Sequence, residues 1–319
     1  TIKKNNNKTA VKGFILSIKT DLRADLILLL TAFIWGLAFV FQRSGMDHIG
    51  PITFTFGRFV IGALAILPLW YWMEKPKQIF TFNKVNKQAA LLGIVLTSGM
   101  LLQQWGMVYT TAGRAGFLTG VYIVFVPLIG LFFRNKTEWP TWLGMVMALC
   151  GLYFMAQIDS DEIFIGDILV LGSSVLFALH IIFTGIIANN TSPFRLIFVQ
   201  FSVASLITAI LVPIFEGWNW QGILDAGVAL LYVGVLSSAV GFTLQVVGQR
   251  TAPSSHTAII LSFEAVFAAL CGWWILDEML TRPELVGCSL ILAGGLVSQL
   301  KSLLTPKPGE PIQHPHGTH

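Results

Sequence analysis

The chain has 319 residues, of which 55% are hydrophobic and only 11% are charged. Ordinary soluble domains carry about 25% charged residues, so this composition excludes a soluble globular protein and indicates a membrane protein. The formal net charge of +4 comes from lysines that flank apolar runs. We interpret these lysines as membrane-topology signals and expect no nucleic-acid partner.

Apolar runs of about 20 residues follow one another along the chain, the length that crosses a hydrocarbon core of about 30 Å as an α-helix. Short polar or Pro/Gly-containing segments divide the runs, and strand-type alternation is absent. We predict helical spans at about residues 25–45, 51–73, 88–109, 112–133, 138–156, 165–188, 193–215, 223–247, 253–275 and 283–301.

The two halves of the chain are copies of one unit. A shift of 142 residues aligns them without a gap over more than a hundred positions, and one inserted residue then raises the shift to 143. Matching positions include Asp25 with Asp167, Pro51 with Pro193, Gln103 with Gln245, Gly130 with Gly272 and, after the insertion, Gly144 with Gly287. We therefore predict repeats at residues 25–156 and 165–301, joined by an extracytoplasmic linker at 157–164.

The odd number of spans in each copy decides the relative orientation of the copies. A five-helix unit delivers the next copy to the membrane upside down, so a pseudo-two-fold axis in the membrane plane relates the two. Such inverted repeats are typical of secondary transporters, whose substrate site lies near the bilayer midplane between the copies. The predicted fold class is all-α integral membrane, with ten transmembrane helices as two five-helix inverted repeats.

Lysine and arginine counts predict the orientation in the membrane. Segments on the N-terminal side hold sixteen Lys and Arg residues, and segments on the opposite side hold three. The positive-inside rule therefore predicts that the basic segment 1–24 and the tail 302–319 are cytoplasmic. We expect a bacterial-type inner membrane, no removable signal peptide, and a disordered tail.

Several short motifs are distributed over the membrane part of the chain. They are Trp35-Gly36, Phe56 to Phe59, Thr110 to Thr119, Phe125 to Leu128 and Phe263 to Leu270. Together they resemble the EamA-type transporters of the drug/metabolite transporter superfamily, over about residues 24–300. The resemblance implies alternating-access transport of a small solute, either export of amphipathic metabolites such as amino acids or uptake of an organic solute.

The chain departs from this family pattern at two equivalent positions. The pattern usually has proline after the tyrosine of the fourth span and after the glutamate of the ninth, where this chain has Ile123 and Ala265. A mechanism that bends these helices at that proline is therefore not expected here.

Ionisable groups within apolar spans are the first candidates for a site, because placing a charge there costs at least about 2.5 kcal/mol. Glu264 lies in the middle of the ninth span, and its equivalent in the first repeat is Tyr122. Inverted symmetry would put both at the midplane, where a substrate site is expected. A structural glutamate hydrogen-bonded between helices is the alternative.

Other polar residues within spans are candidates for the same cavity. Arg58 could bind a carboxylate or phosphate, or could hold helix packing, and its equivalent is Gln200. His180, which replaces Ala38 of the first repeat, could relay protons or could simply pack. Gln103 and Gln245 are equivalent positions near opposite ends of their spans, suited to gate hydrogen bonds or to interhelical contacts.

The deep aromatic residues Trp35 and Trp105 could stack on an aromatic or cationic substrate, although helix or lipid packing also explains them. Cys150, Cys271 and Cys288 lie inside spans without metal-type spacing, and we expect no metal site and no cofactor. No phosphate loop is present, so we expect a gradient to supply the energy, with protons or another ion coupled to transport.

The sequence therefore predicts a secondary active transporter for a small metabolite, an amino acid or related compound, in the efflux direction. An uptake or exchange carrier for a cationic or quaternary-ammonium solute is the alternative within transport. A non-transporting scaffold or sensor is the alternative from another class, and motifs for an intramembrane enzyme are absent. The expected partners are the substrate and the lipid bilayer, with a monomer and a homodimer both open.

Overall fold

The computed structural model describes residues 2–74, 84–110, 112–132, 137–155, 165–275 and 281–304, and within these ranges the chain is helical apart from short turns. The all-α class is thus confirmed. The helices are α1 Ile2–Met46, α2 Pro51–Glu74, α3 Lys84–Tyr109, α4 Ala112–Gly120, α5 Tyr122–Phe132, α6 Trp139–Met155, α7 Ile165–Ile187, α8 Pro193–Phe215, α9 Trp220–Asp225, α10 Gly227–Leu231, the π-helix Tyr232–Gly241, α11 Phe242–Gln249, α12 Ser254–Leu261, α13 Phe263–Ile275 and α14 Arg282–Leu304.

Eight helical stretches of the described chain are long and apolar enough to cross a membrane, and the chain is a multi-pass membrane protein. Three of these stretches are composite: α4 with α5, α10 with the π-helix and α11, and α12 with α13 each form one apolar stretch. Helix α6 is apolar but has only 17 residues.

The basic N-terminal segment 1–24 is part of helix α1, which begins at Ile2. The predicted linker 157–164 and the part of the tail beyond residue 304 lie outside the described residues.

Helices of the first half pack against helices of the second half. The main pairs are α1 with α13, α2 with α8, α3 with α7, and α6 with α14. The central apolar core lies between these pairs and contains fully buried Leu28, Phe59, Leu96 and Phe201. Because the core is shared, neither half buries its apolar faces alone.

Glycines bring α6 and α14 together at two levels. A Cβ atom at Gly144 would lie 2.4 Å from the carbonyl oxygen of Gly294, and a Cβ atom at Gly151 would lie 2.5 Å from that of Gly287. Small residues permit such close backbone approach between membrane helices. The 143-residue shift converts each of these two contacts into the other.

The starts of α2 and α8 are stabilised in corresponding ways. Both helices begin with a proline, which suits the first helical position because its missing N–H needs no partner there. The carboxylate of Glu216 accepts the backbone N–H groups of Ile52 and Thr53, each at 2.8 Å. Its equivalent Glu74 accepts the hydroxyl of Ser192, the residue before α8. A carboxylate is favourable at a helix N-terminus, and both contacts join one half to the other.

Two composite spans are interrupted next to the midspan residues singled out from the sequence. Helix α4 ends at Gly120 and α5 begins at Tyr122, while α12 ends at Leu261 and α13 begins at Phe263. These interruptions form without the usual proline. Losing the proline therefore removes a local helix breaker, but the interruption persists.

The eighth span contains an irregular segment that its sequence did not predict. Residues Tyr232–Gly241 form a π-helix between α10 and α11. The equivalent residues 90–99 of the first repeat belong to the regular helix α3. π-helical segments occur frequently at functional sites, and this one contributes Ser237 to the cavity described next.

Candidate functional site

A cavity lies between the two halves, with about 500 Å³ of empty space including its opening. Twelve of its sixteen lining residues form six pairs that are equivalent under the 142-residue shift. The pairs are Trp35 with Phe177, Ala38 with His180, Phe39 with Ile181, Met100 with Phe242, Gln103 with Gln245 and Tyr122 with Glu264. Four residues line the cavity without their equivalents: Gln42, Arg58, Thr119 and Ser237.

Tyr122 and Glu264 meet in this cavity. The tyrosine hydroxyl donates a hydrogen bond to Oε1 of Glu264 at 3.0 Å, and both side chains are only 3% exposed. Tyr122 is the first residue of α5, directly after the interruption between α4 and α5. Glu264 is the second residue of α13, directly after the interruption between α12 and α13. The contact therefore joins equivalent positions of the two halves directly.

Arg58 of α2 is 2% exposed and points its guanidinium into the cavity wall. Its Nη1 donates to Oε1 of Gln42 at 3.0 Å and to Sδ of Met100 at 3.4 Å. Its Nη2 donates to the hydroxyl of Ser237 at 3.3 Å, and its Nε to that of Ser238 at 3.2 Å. All four acceptors are neutral.

His180 of α7 lines the cavity and is hydrogen-bonded through Nε2 to Oε1 of Gln200 at 2.8 Å. Gln200, on α8, is fully buried and does not itself line the cavity. The structure thus places Gln200 behind His180, where it orients the imidazole. The second half thus contributes an imidazole, an amide and the carboxyl of Glu264 to the cavity wall, whereas the first half contributes a guanidinium.

The two equivalent glutamines have different partners. Gln103 donates to the hydroxyl of Thr119 at 2.9 Å. Gln245 donates to Gln249 at 3.1 Å, and Gln249 donates to the carbonyl of Ile181 at 2.8 Å. Oε1 of Gln245 is buried without a hydrogen-bond partner among the described residues.

The two tryptophans singled out from the sequence lie in different places. Trp35 lines the cavity, donates its Nε1–H to the carbonyl of Ser237 at 3.0 Å, and packs on Phe242. Trp105 is 39% exposed, faces Phe215 and does not line the cavity. The depth of Trp105 in its span did not reveal its direction, which depends on the rotation of α3.

The residues that sequence reasoning missed include Gln42, Thr119 and Ser237. The available signal was their polarity inside apolar spans, which is uncommon and often functional. Ser237 also stands next to Ser238 within the π-helix, and both hydroxyls reach Arg58. Among the described residues, no group of three or more His, Cys, Asp or Glu could hold a metal ion.

The cavity offers complementary groups to a small amphipathic molecule. Arg58 can bind a planar anion, Glu264 and Tyr122 can bind a cation or hydrogen-bond donor, and Trp35 and Phe177 supply apolar walls. The site thus lies between apolar helices of both halves of a multi-pass membrane protein.

Comparisons with known proteins agree with this class. The EamA-like transporter family matches the chain twice, over residues 22–157 and 164–299, and the chain belongs to this family. The resemblance seen in the sequence is thereby confirmed. A solved crystal structure superposes on this chain with a TM-score of 0.76 at 14% sequence identity. The superposition covers 90% of this chain and 99% of the chain in that structure, so the two share a fold.

Three curated relatives illustrate the range of similarity. An uncharacterised transporter of Archaeoglobus fulgidus is 31% identical, with 88% of this chain and 87% of that protein covered. The uncharacterised transporter YoaV of Bacillus subtilis is 24% identical over 82% of this chain and 91% of its own. The threonine/homoserine exporter RhtA of Salmonella typhimurium is 28% identical, over 54% of this chain and 59% of its own.

Proposed function

We propose that the protein is a secondary active transporter that exports a small metabolite, an amino acid or a related amphipathic compound, by alternating access. The observation that carries this proposal is the cavity itself, because six equivalent residue pairs from the two halves line it. A substrate site at the junction of two inverted repeats can open alternately to either side. The similarity to an exporter of threonine and homoserine supports the substrate class and the direction.

The proposed architecture is ten transmembrane helices in two inverted repeats, at residues 25–156 and 165–301, with both termini cytoplasmic in a bacterial-type inner membrane. Three observations support it. The family matches the two halves separately. The α6–α14 glycine contacts are exchanged by the repeat shift, and the equivalent residues Glu216 and Glu74 each accept a hydrogen bond at the start of a helix of the opposite half.

The polar groups of the cavity suit a zwitterion. In the proposed complex, Arg58 binds the carboxylate, Glu264 and Tyr122 bind the ammonium group, and Trp35 and Phe177 contact the side chain. Glu264 also exchanges a proton, so that a proton gradient drives transport. Each of these roles uses a group that already lines the cavity.

Transport into proteoliposomes tests the proposed function. Purified protein should catalyse counterflow of a radiolabelled small amino acid, and empty liposomes should not. Labelled choline in parallel tests the alternative of a cationic-solute carrier, which the Glu264 carboxyl and the neighbouring Trp35 ring would favour. Choline flux without amino-acid flux would replace the proposed substrate by that alternative.

We expect residues 80 and 160 to be accessible from opposite sides of the membrane. Both positions lie outside the described residues, in the segments that join predicted spans. After replacement of Cys150, Cys271 and Cys288 by alanine, the single variants Phe80→Cys and Ser160→Cys are labelled with an impermeant maleimide in intact cells. Only Ser160→Cys should react before lysis, and both should react afterwards. Labelling of both from one side would refute the inverted arrangement.

Alternating access predicts opposite changes at the equivalent positions Gln103 and Gln245. In the same cysteine-free background, Gln103→Cys and Gln245→Cys are introduced singly and their reaction rates with a small thiol reagent are measured. Substrate that shifts the protein toward one open state should accelerate one reaction and slow the other. Ser289, an exposed residue of α14 that does not line the cavity, provides Ser289→Cys as a control whose rate should not change. Parallel changes at the two glutamine positions would contradict the mechanism.

A further inference from the structure

The charge of Arg58 has no counter-ion among the described residues. Four of its five N–H donors are used, on the amide oxygen of Gln42, the sulfur of Met100 and the hydroxyls of Ser237 and Ser238. No described carboxylate lies within salt-bridge distance of the guanidinium. Arginine stays protonated in proteins, so a full positive charge is held at the cavity wall by neutral groups alone.

The repeat itself does not require this charge. The positions equivalent to Arg58, Gln42 and Ser237 in the other half are Gln200, Thr184 and Val95. These equivalents do not line the cavity, although six other pairs do. The corresponding helices of the other half therefore pack with neutral residues at these three positions. The repeat fold thus forms without an arginine at this position.

We propose that the transported molecule must carry a planar anionic group, which becomes the counter-ion of Arg58, because the neutral side chain of Gln42 leaves this charge unpaired. The inference rests on the proposed transport function and narrows its substrate class. An unpaired buried charge is costly, and an opposite charge with good hydrogen-bond geometry removes much of that cost. The remaining Nη2–H can donate a charge-assisted hydrogen bond to one oxygen of a carboxylate.

Gln42 controls whether Arg58 needs an external partner. Oε1 of Gln42 lies 3.0 Å from Nη1 of Arg58, and Gln42 is only 4% exposed. The variant Gln42→Glu places a carboxylate at nearly the same position and shape, so the protein then supplies its own counter-ion. Binding of an anionic ligand should become unfavourable, while the folded protein should be as stable as the wild type or more so.

The test uses ligand-induced thermal stabilisation of the purified protein, because a ligand that binds only the folded state raises its melting temperature. The probes are L-threonine, L-threonine amide, in which a neutral amide replaces the carboxylate, and propionate, which has a carboxylate but no ammonium group. The wild type should prefer threonine over the amide by roughly tenfold or more in apparent affinity, as expected for a charge-assisted contact to Arg58. Gln42→Glu should abolish this preference.

Gln42→Met is the matched control, since it removes the same hydrogen-bond acceptor without adding charge. It should lower the melting temperature but keep the preference for threonine over the amide. Equal stabilisation of the wild type by both ligands would overturn the inference, and so would a Gln42→Glu variant that keeps the preference. If Gln42→Glu does not fold, the wild-type preference and its persistence in Gln42→Met decide the matter.

The outcomes also separate this inference from the proposed amino-acid substrate. Stabilisation by propionate but not by threonine, lost in Gln42→Glu, would sustain the anion site and reject the amino-acid assignment. Stabilisation by threonine and its amide alike would sustain amino-compound binding and reject the anion site. Failure of all three probes to stabilise the wild type would reject both.

Discussion

Replacing Glu264 by glutamine is expected to abolish gradient-driven accumulation of substrate while leaving the fold intact. The glutamine Oε1 can accept the Tyr122 hydroxyl as the carboxylate does at 3.0 Å, so the contact between α5 and α13 persists. An amide cannot exchange a proton, and buried carboxyl groups are typical members of membrane proton relays. Loss of accumulation without loss of the fold would therefore assign Glu264 to coupling.

Two measurements on reconstituted protein separate coupling from packing. Accumulation of labelled substrate under an imposed pH gradient should fall to background in Glu264→Gln, whereas its melting temperature should stay close to that of the wild type. In Glu264→Ala the Tyr122 hydroxyl loses its acceptor, which costs about 1–3 kcal/mol for a buried group, so the melting temperature should fall as well. Full, pH-responsive accumulation by Glu264→Gln would exclude the coupling role.

Tyr122→Phe provides the complementary control. It removes the donor and leaves the carboxyl of Glu264 in the cavity without its observed hydrogen bond. If Glu264 couples proton movement to transport, accumulation should persist with an altered pH dependence, because the proton-exchanging group remains. Complete loss of accumulation in Tyr122→Phe with an unchanged melting temperature would instead give the hydroxyl an essential role of its own.

The sequence revealed the parts of the site that the repeat determines. The equivalence of Tyr122 and Glu264 placed both at midspan, and the structure joins them by a hydrogen bond. The membrane class and the family followed from composition and motifs, because apolar length and local motifs do not depend on how helices rotate. Residue depth along a span is thus readable from sequence.

Side-chain direction was not readable in the same way. Trp105 and Gln103 lie two residues apart on α3, yet Gln103 lines the cavity and Trp105 is partly exposed. Two residues correspond to about 200° around an α-helix, so the choice between them needs the rotation of the helix. That rotation is set by packing against α7 and α8, which periodicity alone does not report in a span that is apolar all round.

The group around Arg58 shows a second limit. Ser237 and Ser238 approach the guanidinium together from consecutive positions, which a regular α-helix would turn about 100° apart. The π-helix Tyr232–Gly241 changes this spacing. Since its equivalent in α3 is regular, the repeat predicted the wrong local geometry beside Arg58, whose equivalent in the other half is the neutral Gln200.

A clear loss of stability is also expected when a side chain is added at the crossing of α6 and α14. In Gly144→Ala the new Cβ would lie 2.4 Å from the carbonyl oxygen of Gly294 and 3.0 Å from Cβ of Ser298. The first neighbour is backbone, so the helices must separate along the crossing. Overpacking of this kind typically costs about 1–3 kcal/mol, and the melting temperature in detergent should fall accordingly.

Gly116→Ala is the matched control, because a Cβ at Gly116 within α4 has no neighbour closer than 4 Å. This change should leave stability unchanged or raise it slightly, by up to about 1 kcal/mol, since alanine is the better helix former. Equal melting temperatures for Gly144→Ala and Gly116→Ala would show that α6 and α14 do not approach as closely as the structure places them.

Combining Gly144→Ala with Gly294→Ala tests whether the two glycines form one contact. A Cβ at Gly294 would lie 2.5 Å from the carbonyl oxygen of Gly144, the reverse of the first clash. Helices already forced apart by one methyl group have room for the second, so the double variant should lose clearly less stability than the sum of the two single losses. Strict additivity would mean that each alanine is accommodated locally, which would remove the close crossing as the reason why both positions are glycine.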